Sequence, residues 1–351
     1  MNKRFSSDAG DELRFRALAA ALASAGLSSW GFVSGRRFHA ACGGLPAATR
    51  AKFGADEARG AVAASLAYGE GPAEPPDWAA GLEGPDLALA RFARADWYGE
   101  LAARLRGAAS AARAAIRAEG LEPGPARAWR YLANSGLPEK PLALAAGLGS
   151  LGRNGLVLLG AGGPPEARPG PAAASPPLGP GAVLGLLLLP FDPADAGGAD
   201  EPPPREDLVA GGRCGACRAC IEACPTAAIG PEGAFRREAC LQHWTAREGE
   251  PPAALLAVWE NRLYGCDACL EACPRFRLEA GAATERGRLG PSLPAGLFLD
   301  RDDDEVRHKL RGSALGLGWM SLEGFRRSAR LARARKEAGP GDASEQVFPR
   351  I

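Results

Sequence analysis

An excess of charge of either sign is what this 351-residue chain most clearly lacks, with 42 Lys and Arg against 41 Asp and Glu. No global field therefore draws in a nucleic acid or an anionic membrane. Long apolar runs are missing too. The longest, Ala182 to Leu189, falls well short of the roughly 18 residues that span a bilayer, and Gly181 and Pro190 bound it as a buried strand. Ala17 to Leu27 has the small and apolar residues of a secretion-signal core. However, Asp8, Asp11 and Glu12 stand where such a signal needs positive charge, and Leu13, Phe15, Leu18, Leu22 and Leu27 fit one helical stripe. Lys is scarce beside Arg, and Ala and Gly dominate, a genomic background without functional meaning. Cysteine is scarce outside one place. Of nine, only Cys42 lies outside residues 214–273, which excludes a disulfide framework and favours metal ligation.

What is present reads as a globular chain, 46% hydrophobic and long enough for two domains. Residues 10–30 predict an amphipathic helix. Trp30–Ser34, Ala61–Tyr68, Trp129–Leu132, Leu156–Leu159 and Val183–Leu189 predict strands. Residues 86–119 and Leu142–Leu148 predict helices. Strands alternating with helices point to an α/β or α+β domain over residues 1–200. Gly160 to Pro180, almost all Gly, Pro, Ala and Ser, predicts a flexible surface loop. A cysteine-bearing domain follows over 205–285. Residues 286–351 predict a basic helical extension with a disordered tail.

The cysteines carry the chemistry. Cys214-x2-Cys217-x2-Cys220-x3-Cys224-Pro225 is the run that wraps three thiolates around one [4Fe–4S] cubane and sends its fourth to a second cluster. Cys266-x2-Cys269-x3-Cys273-Pro274 repeats it one cysteine short, and Cys240 completes the set of eight. The crossover assigns Cys214, Cys217, Cys220 and Cys273 to cluster one, and Cys224, Cys240, Cys266 and Cys269 to cluster two. Two Zn(Cys)4 sites are the competing reading, although zinc motifs rarely place three cysteines at this spacing before Cys-Pro. Cys42, beside Ala40, Ala41 and Gly43, reads as a small packed residue. Low-potential clusters need a reducing compartment, so the expected location is the cytoplasm, as a monomer with no membrane partner.

Three flanking segments add a resemblance. Ala145–Leu158 (AAGLGSLGRNGLVL), Glu260–Pro274 (ENRLYGCDACLEACP) and Leu310–Leu315 (LRGSAL) resemble epoxyqueuosine reductases, and weaker similarity runs through Arg59–Tyr68 and Ala90–Tyr98. The likeness is in order over residues 10–335. It implies an N-terminal cobalamin-binding domain ahead of a ferredoxin-like two-cluster domain. It also implies a ferredoxin- or flavodoxin-type low-potential donor, and electrons passing through the clusters to cobalt to reduce an epoxide in the tRNA anticodon, the last step of queuosine synthesis. On this likeness Gly147, Gly149, Gly152 and Asn154 let the backbone approach the macrocycle, or alternatively build a helix end and turn. Gln242 and His243 follow Cys240 where the family places a cobalamin contact, and Arg91 and Tyr98 are further cofactor candidates. The family's acidic proton donor, in a D-T-G-P motif, falls here on Asn134 or Ala133, neither of which releases a proton. Glu139 or Lys140 either stands in or is a solvated loop charge.

Gly99 likewise replaces a family histidine, so the resemblance implies a divergent paralogue. Relatives that dehalogenate carry a twin-arginine signal, which Lys3-Arg4-Phe5 does not provide. The basic run Val306–Lys336 either tracks a phosphate backbone or is a solvated helix face. The alternative function is an electron-transfer iron–sulfur protein with neither corrinoid nor tRNA.

Overall fold

The structure is a computed structural model describing residues 9–160, 179–193, 203–245, 247–280, 284–318 and 320–338. Most of the expected 160–180 loop and the expected C-terminal tail lie outside the described residues. Contacts divide the chain into two compact units, the residues up to Ala67 with Tyr98–Gly215, and Tyr68–Trp97 with the residues from Ala216 onward. No helix of the described residues is long and apolar enough to cross a membrane.

The first unit is built on β1 (Ser29–Ser34), β2 (Gly60–Ala67), β7 (Ala182–Leu189) and β4 (Arg130–Ala133), in that order across one sheet. All three pairings are antiparallel. Ser34 pairs with Gly60. The excursion through α2 (Gly35–Cys42) and α3 (Ala47–Phe53) therefore returns the chain to the end of the sheet it left, making a helical loop rather than a crossover. Every residue of the central strand β2 is buried, as a strand covered on both faces requires.

On one face, Ala61, Ala63, Leu186 and Leu188 join a core with Phe38 and Cys42 of α2 and with Leu142 and Leu144 of α5 (Glu139–Ala145). On the other face, Gly185 lies directly beneath Leu101 of α4 (Trp97–Ala118). In α1 (Ala9–Ala23), Leu18 and Leu22 are buried and Phe15 packs on Phe32 with ring centroids 4.5 Å apart. A hairpin of β5 (Gly149–Leu151) and β6 (Val157–Leu159) follows α5. Cys42 is a buried, apolar-packed thiol, as its sequence context implied.

The second unit departs from the expected division. The expected helix over 86–119 opens instead with a strand, β3 (Asp86–Leu89), because Leu87 and Leu89 are buried in alternation with the more exposed Asp86 and Ala88. This two-residue period is easily absorbed into a longer helical reading. β3 is the centre of a sheet, parallel to β8 (Arg262–Tyr264) and antiparallel to β9 (Ser292–Pro294). Residues 286–338 are consequently no appendage to a ferredoxin domain. One core gathers Leu87 and Leu89, Leu263 and Tyr264, Leu293, Leu297 and Phe298, and Phe325 and Ala329. It draws on β9, α11 (Gly296–Leu299), α12 (Asp303–Leu310) and α13 (Leu322–Ala338). Phe325 stacks edge-on to both Tyr264 and Phe298.

Candidate functional site

The cysteines of the second unit sit on short elements that small residues allow to pack closely. Cys220 lies in α7 (Ala219–Glu222), Cys269 in α10 (Ala268–Glu271), and these two helices pack on each other. Cys240 immediately precedes α8 (Leu241–Thr245), and Cys266 follows β8. Thr245, fully buried, accepts the N–H of Gly265 at 3.1 Å and donates to Gln242 O at 3.0 Å, tying the Cys240 segment to the Cys266 segment. Nothing in the sequence marks Thr245 for this task, since a lone threonine has no spacing to read.

Four thiols share one electrostatic environment. Burial first, and then Cys266, Cys240, Cys224 and lastly Cys220, push Cys269 up to about 12. Burial also raises Cys240, with Cys266 and Cys224 adding to it. The neighbourhood is therefore Cys224, Cys240, Cys266 and Cys269, with Cys220 at its edge. Backbone donors reach the sulfurs as well. The N–H of Ala228 lies 3.3 Å from Cys224 Sγ, across a turn in which Ala227 adopts a left-handed φ of +48°. The N–H groups of Gln242 and His243 point at Cys240. Such N–H···S contacts stabilise thiolate and tune a cluster's potential.

Among the described residues, no three His, Cys, Asp or Glu side chains stand close enough to grip a single ion. Four thiols in one neighbourhood are the donor set of a cubane, each of whose irons takes one thiolate. One tetrahedral zinc instead needs its sulfurs at about 2.3 Å. The donor set fits the cluster. Of the remaining cysteines, Cys214 is half-buried with its N–H on Gly211 O, Cys217 is exposed, and Cys273 is half-buried.

Other predicted residues prove to be engaged. Arg91 gives its backbone N–H to Asp267 at 2.8 Å and its side chain to Glu271 at 2.9 Å, and lies over the Phe276 ring, so it braces the segment that bears Cys266 and Cys269. His243 Nδ1 accepts from Arg237 Nε at 3.0 Å, and burial followed by the Arg247 and Arg237 cations lowers its pKa. Gln242 is exposed, and Tyr98 is half-buried in the first turn of α4.

In the hairpin, a side chain on Gly149 would meet Leu158 O at 2.1 Å, and one on Gly152 would meet Asn154 Oδ1 at 2.6 Å. Asn154 Oδ1 in turn accepts from Leu156 N at 3.2 Å. These three residues build the hairpin itself. Gly147, like Gly155 at the hairpin tip, has a positive φ (+71° and +73°) and open space where a side chain would project.

Asn134 is exposed with a left-handed φ of +52°. One residue on, Ser135 donates both its N–H (2.8 Å) and its hydroxyl (3.0 Å) to Glu139 Oε1. Burial pushes Glu139 up from an ordinary 4.5 to about 7, against the opposing effect of the two Ser135 bonds. A carboxyl raised on folding binds its proton more tightly in the folded state, so folding stability falls as pH rises from about 4.5 to about 7 and is flat above. The expected loss is up to about 3 kcal/mol. Glu139→Gln should remove that slope, as checked by urea unfolding at pH 5 and pH 8.

The basic α13 is largely turned inward. Arg327 donates to Trp244 O, Arg247 O and Gly249 O, and lies over Trp259. Arg335 donates to Glu260 O and Leu256 O, and Arg326 to Phe298 O. Arg326, Arg330 and Arg333 pair with Asp303, Glu323 and Asp300. The expected phosphate-tracking face thus has its guanidiniums committed. Arg307 and Arg311 differ. They are exposed, have no hydrogen-bond or ion-pair partner among the described residues, and rim a cavity of about 200 Å³ floored by Leu310, Leu315, Leu317, Met320 and Leu322.

An antiparallel α+β unit, and a unit in which Cys224, Cys240, Cys266 and Cys269 converge beside a further cysteine run, define an iron–sulfur protein. Comparison agrees, because the family of 4Fe-4S double cluster binding domains matches residues 213–275. The fold as a whole is that of the epoxyqueuosine reductases. The Bacillus subtilis enzyme, solved with an aspartate-bearing catalytic loop swung out of its active site, superposes with a TM-score of 0.61 at 20% identity over 90% of this chain and 80% of that one. An epoxyqueuosine reductase with an epoxyqueuosine-modified tRNA-Tyr stem loop gives 0.60 at 20% identity, with the same coverage. The epoxyqueuosine reductase of Staphylococcus aureus is 30% identical over 118 residues, which is 33% of this chain and 23% of that protein's length. The chain thus aligns with less than a quarter of that curated relative.

Proposed function

We propose that this chain is an iron–sulfur oxidoreductase of the epoxyqueuosine reductase type, with two [4Fe–4S] clusters and a cobalamin, reducing an epoxide carried on tRNA. The carrying observation is the convergence of Cys224, Cys240, Cys266 and Cys269 within a fold shared with epoxyqueuosine reductases. Cluster two is held by those four thiolates, with the N–H groups of Ala228, Gln242 and His243 stabilising their charge. Cluster one takes Cys214, Cys217, Cys220 and Cys273. Bound cobalamin supplies a strongly reducing cobalt centre. Gly147, where a side chain would meet no other atom, would leave the cobalamin room, and Gly149, Gly152 and Asn154 build the hairpin that follows it. Arg91 fixes the Cys266–Cys273 segment through Asp267 and Glu271. The unpartnered Arg307 and Arg311 are the basic pair available to an RNA phosphate.

The alternative, an electron-transfer protein without corrinoid, is favoured by Asn134 standing at the donor position and by the hairpin accounting for Gly149 and Gly152 on its own. One experiment separates them. Anaerobically reconstituted protein should hold about eight irons per chain, take up cobalamin stoichiometrically, and deoxygenate an epoxyqueuosine-modified tRNA stem loop when given a low-potential one-electron donor. Eight irons without cobalamin uptake establishes the alternative. Zinc in place of iron removes both readings.

A further inference from the structure

Arg307 and Arg311 stand one turn apart near the C-terminal end of α12, their exposed guanidiniums without a partner among the described residues. By contrast, Arg213 is held by Glu206 and Asp207 of α6 (Arg205–Leu208), and the α12 acids Asp303 and Glu305 already pair with Arg326 and Arg301. A helix C-terminus attracts cations through its dipole. That accounts for the charge and not for the hollow beneath it. The chain makes the hollow by doubling back on α12. Gly312 turns with φ +78°, Ser313 Oγ donates to Leu310 O and accepts the N–H of Leu315 at 3.2 Å, and a side chain on Gly316 would collide with Leu310 O. Leu310, Leu315, Met320 and Leu322 in the floor belong to the main core of this unit, and Leu317 packs against it. The floor is therefore formed before any ligand arrives.

We propose that this cavity seats one unpaired nucleotide of a bound RNA, its base against Met320 and the leucines and its phosphate on Arg307 and Arg311. The seat rests on the RNA-substrate reading above and adds to it an anchoring nucleotide, distinct from the one that reacts. At about 200 Å³ the cavity is smaller than the roughly 300–1,000 Å³ of a site that encloses a whole ligand. It suits a single ring projecting from a larger molecule. Met320 sets a polarizable thioether in the floor, which favours an aromatic ring over an alkyl chain. Two guanidinium forks at the rim match the oxygens of a phosphate, and loop bases that leave their stack are what proteins grip one by one in RNA. Among the described residues the lining has no thiol, carboxylate or imidazole, so the cavity holds a group without transforming it.

The test reads binding rather than turnover, on the full, cluster-loaded chain. Fluorescence anisotropy follows an epoxyqueuosine-modified tRNA stem loop titrated at several salt concentrations. Arg307→Gln and Arg311→Gln, which break no contact in the fold, should each reduce the slope of log affinity against log salt by about 1. Leu317→Ala should weaken binding about tenfold and leave that slope unchanged. Making each loop nucleotide abasic in turn should reveal one position that costs a similar factor and adds nothing in combination with Leu317→Ala. Should Leu317→Ala lose its clusters, the same cycle between abasic loops and Arg311→Gln decides. Binding that none of these variants alters, or abasic losses that all add, overturns the seat and leaves the functional reading standing. A nucleoside monophosphate held as tightly as the stem loop makes the ligand a free nucleotide and overturns the RNA assignment. A stem loop that does not bind wild-type protein at any salt overturns the RNA reading and the seat with it.

Discussion

Cys224→Ser is expected to strip the second cluster and leave the first, although Cys224 ends the first cysteine run. Its sulfur lies in the field of Cys240, Cys266 and Cys269, and the Ala228 N–H that supports it belongs to a turn leading away from Cys217 and Cys220. A serine hydroxyl is a poor replacement for a thiolate, so one cubane loses a corner ligand. Iron should fall from about eight to about four per chain. The residual reduced-state electron paramagnetic resonance spectrum should match that of Cys266→Ser and differ from that of Cys217→Ser. A Cys224→Ser spectrum that instead matches Cys217→Ser would show that each run serves its own cluster, and the crossover would be abandoned.

The largest stability effect should come from Trp259→Ala. Trp259 is fully buried, its Nε1 donates to Arg262 O at 3.0 Å and to Ser328 Oγ at 3.3 Å, and the Arg327 guanidinium covers its ring. With Leu241 and Leu255 it forms the small core beneath the Cys240 and Cys266 segments. Truncation leaves a cavity and removes both Nε1 bonds, at a cost of about 3–5 kcal/mol. Trp259→Phe keeps most of the volume and loses only the N–H bonds, at about 1–2 kcal/mol. Anaerobic urea unfolding followed by cluster absorbance should show both shifts in that order. Equal losses for Ala and Phe would mean that hydrogen bonding, not packing, holds this core.

Ligand spacing was the most legible part of the sequence because it is local, and a cubane can be recognised from three cysteines per turn. Counting alone brought in Cys240, which the fold places near Cys224, Cys266 and Cys269. β7 was legible for a related reason, since a run such as Ala182–Leu189 between Gly181 and Pro190 has few other ways to fold. The strand β3 was hidden because four residues of alternation merged with the following helical pattern. Residues 286–338 looked peripheral because their partners, Leu87 and Leu89, stand some two hundred positions earlier. The hairpin glycines were ambiguous for a different reason. A glycine required by Leu158 O and one with open space beside it are identical in sequence, and only the neighbouring atoms distinguish Gly149 from Gly147. Glu139 was visible as a residue, but its burial and its two Ser135 donors depend on the folded turn.

Along α13, two arginines hold positions that lysine could not fill. Arg327 spans three carbonyls at once, and Arg335 two, with a flat fork whose donors diverge. A lysine concentrates its donors at one point and cannot bridge such separated acceptors. The helix works as a rivet plate, fastening the loose ends of α8, α9 (Ala253–Ala257) and β8 from one side. Conservative Arg-to-Lys exchange along it would preserve every charge and still let the platform beneath the cubane come loose.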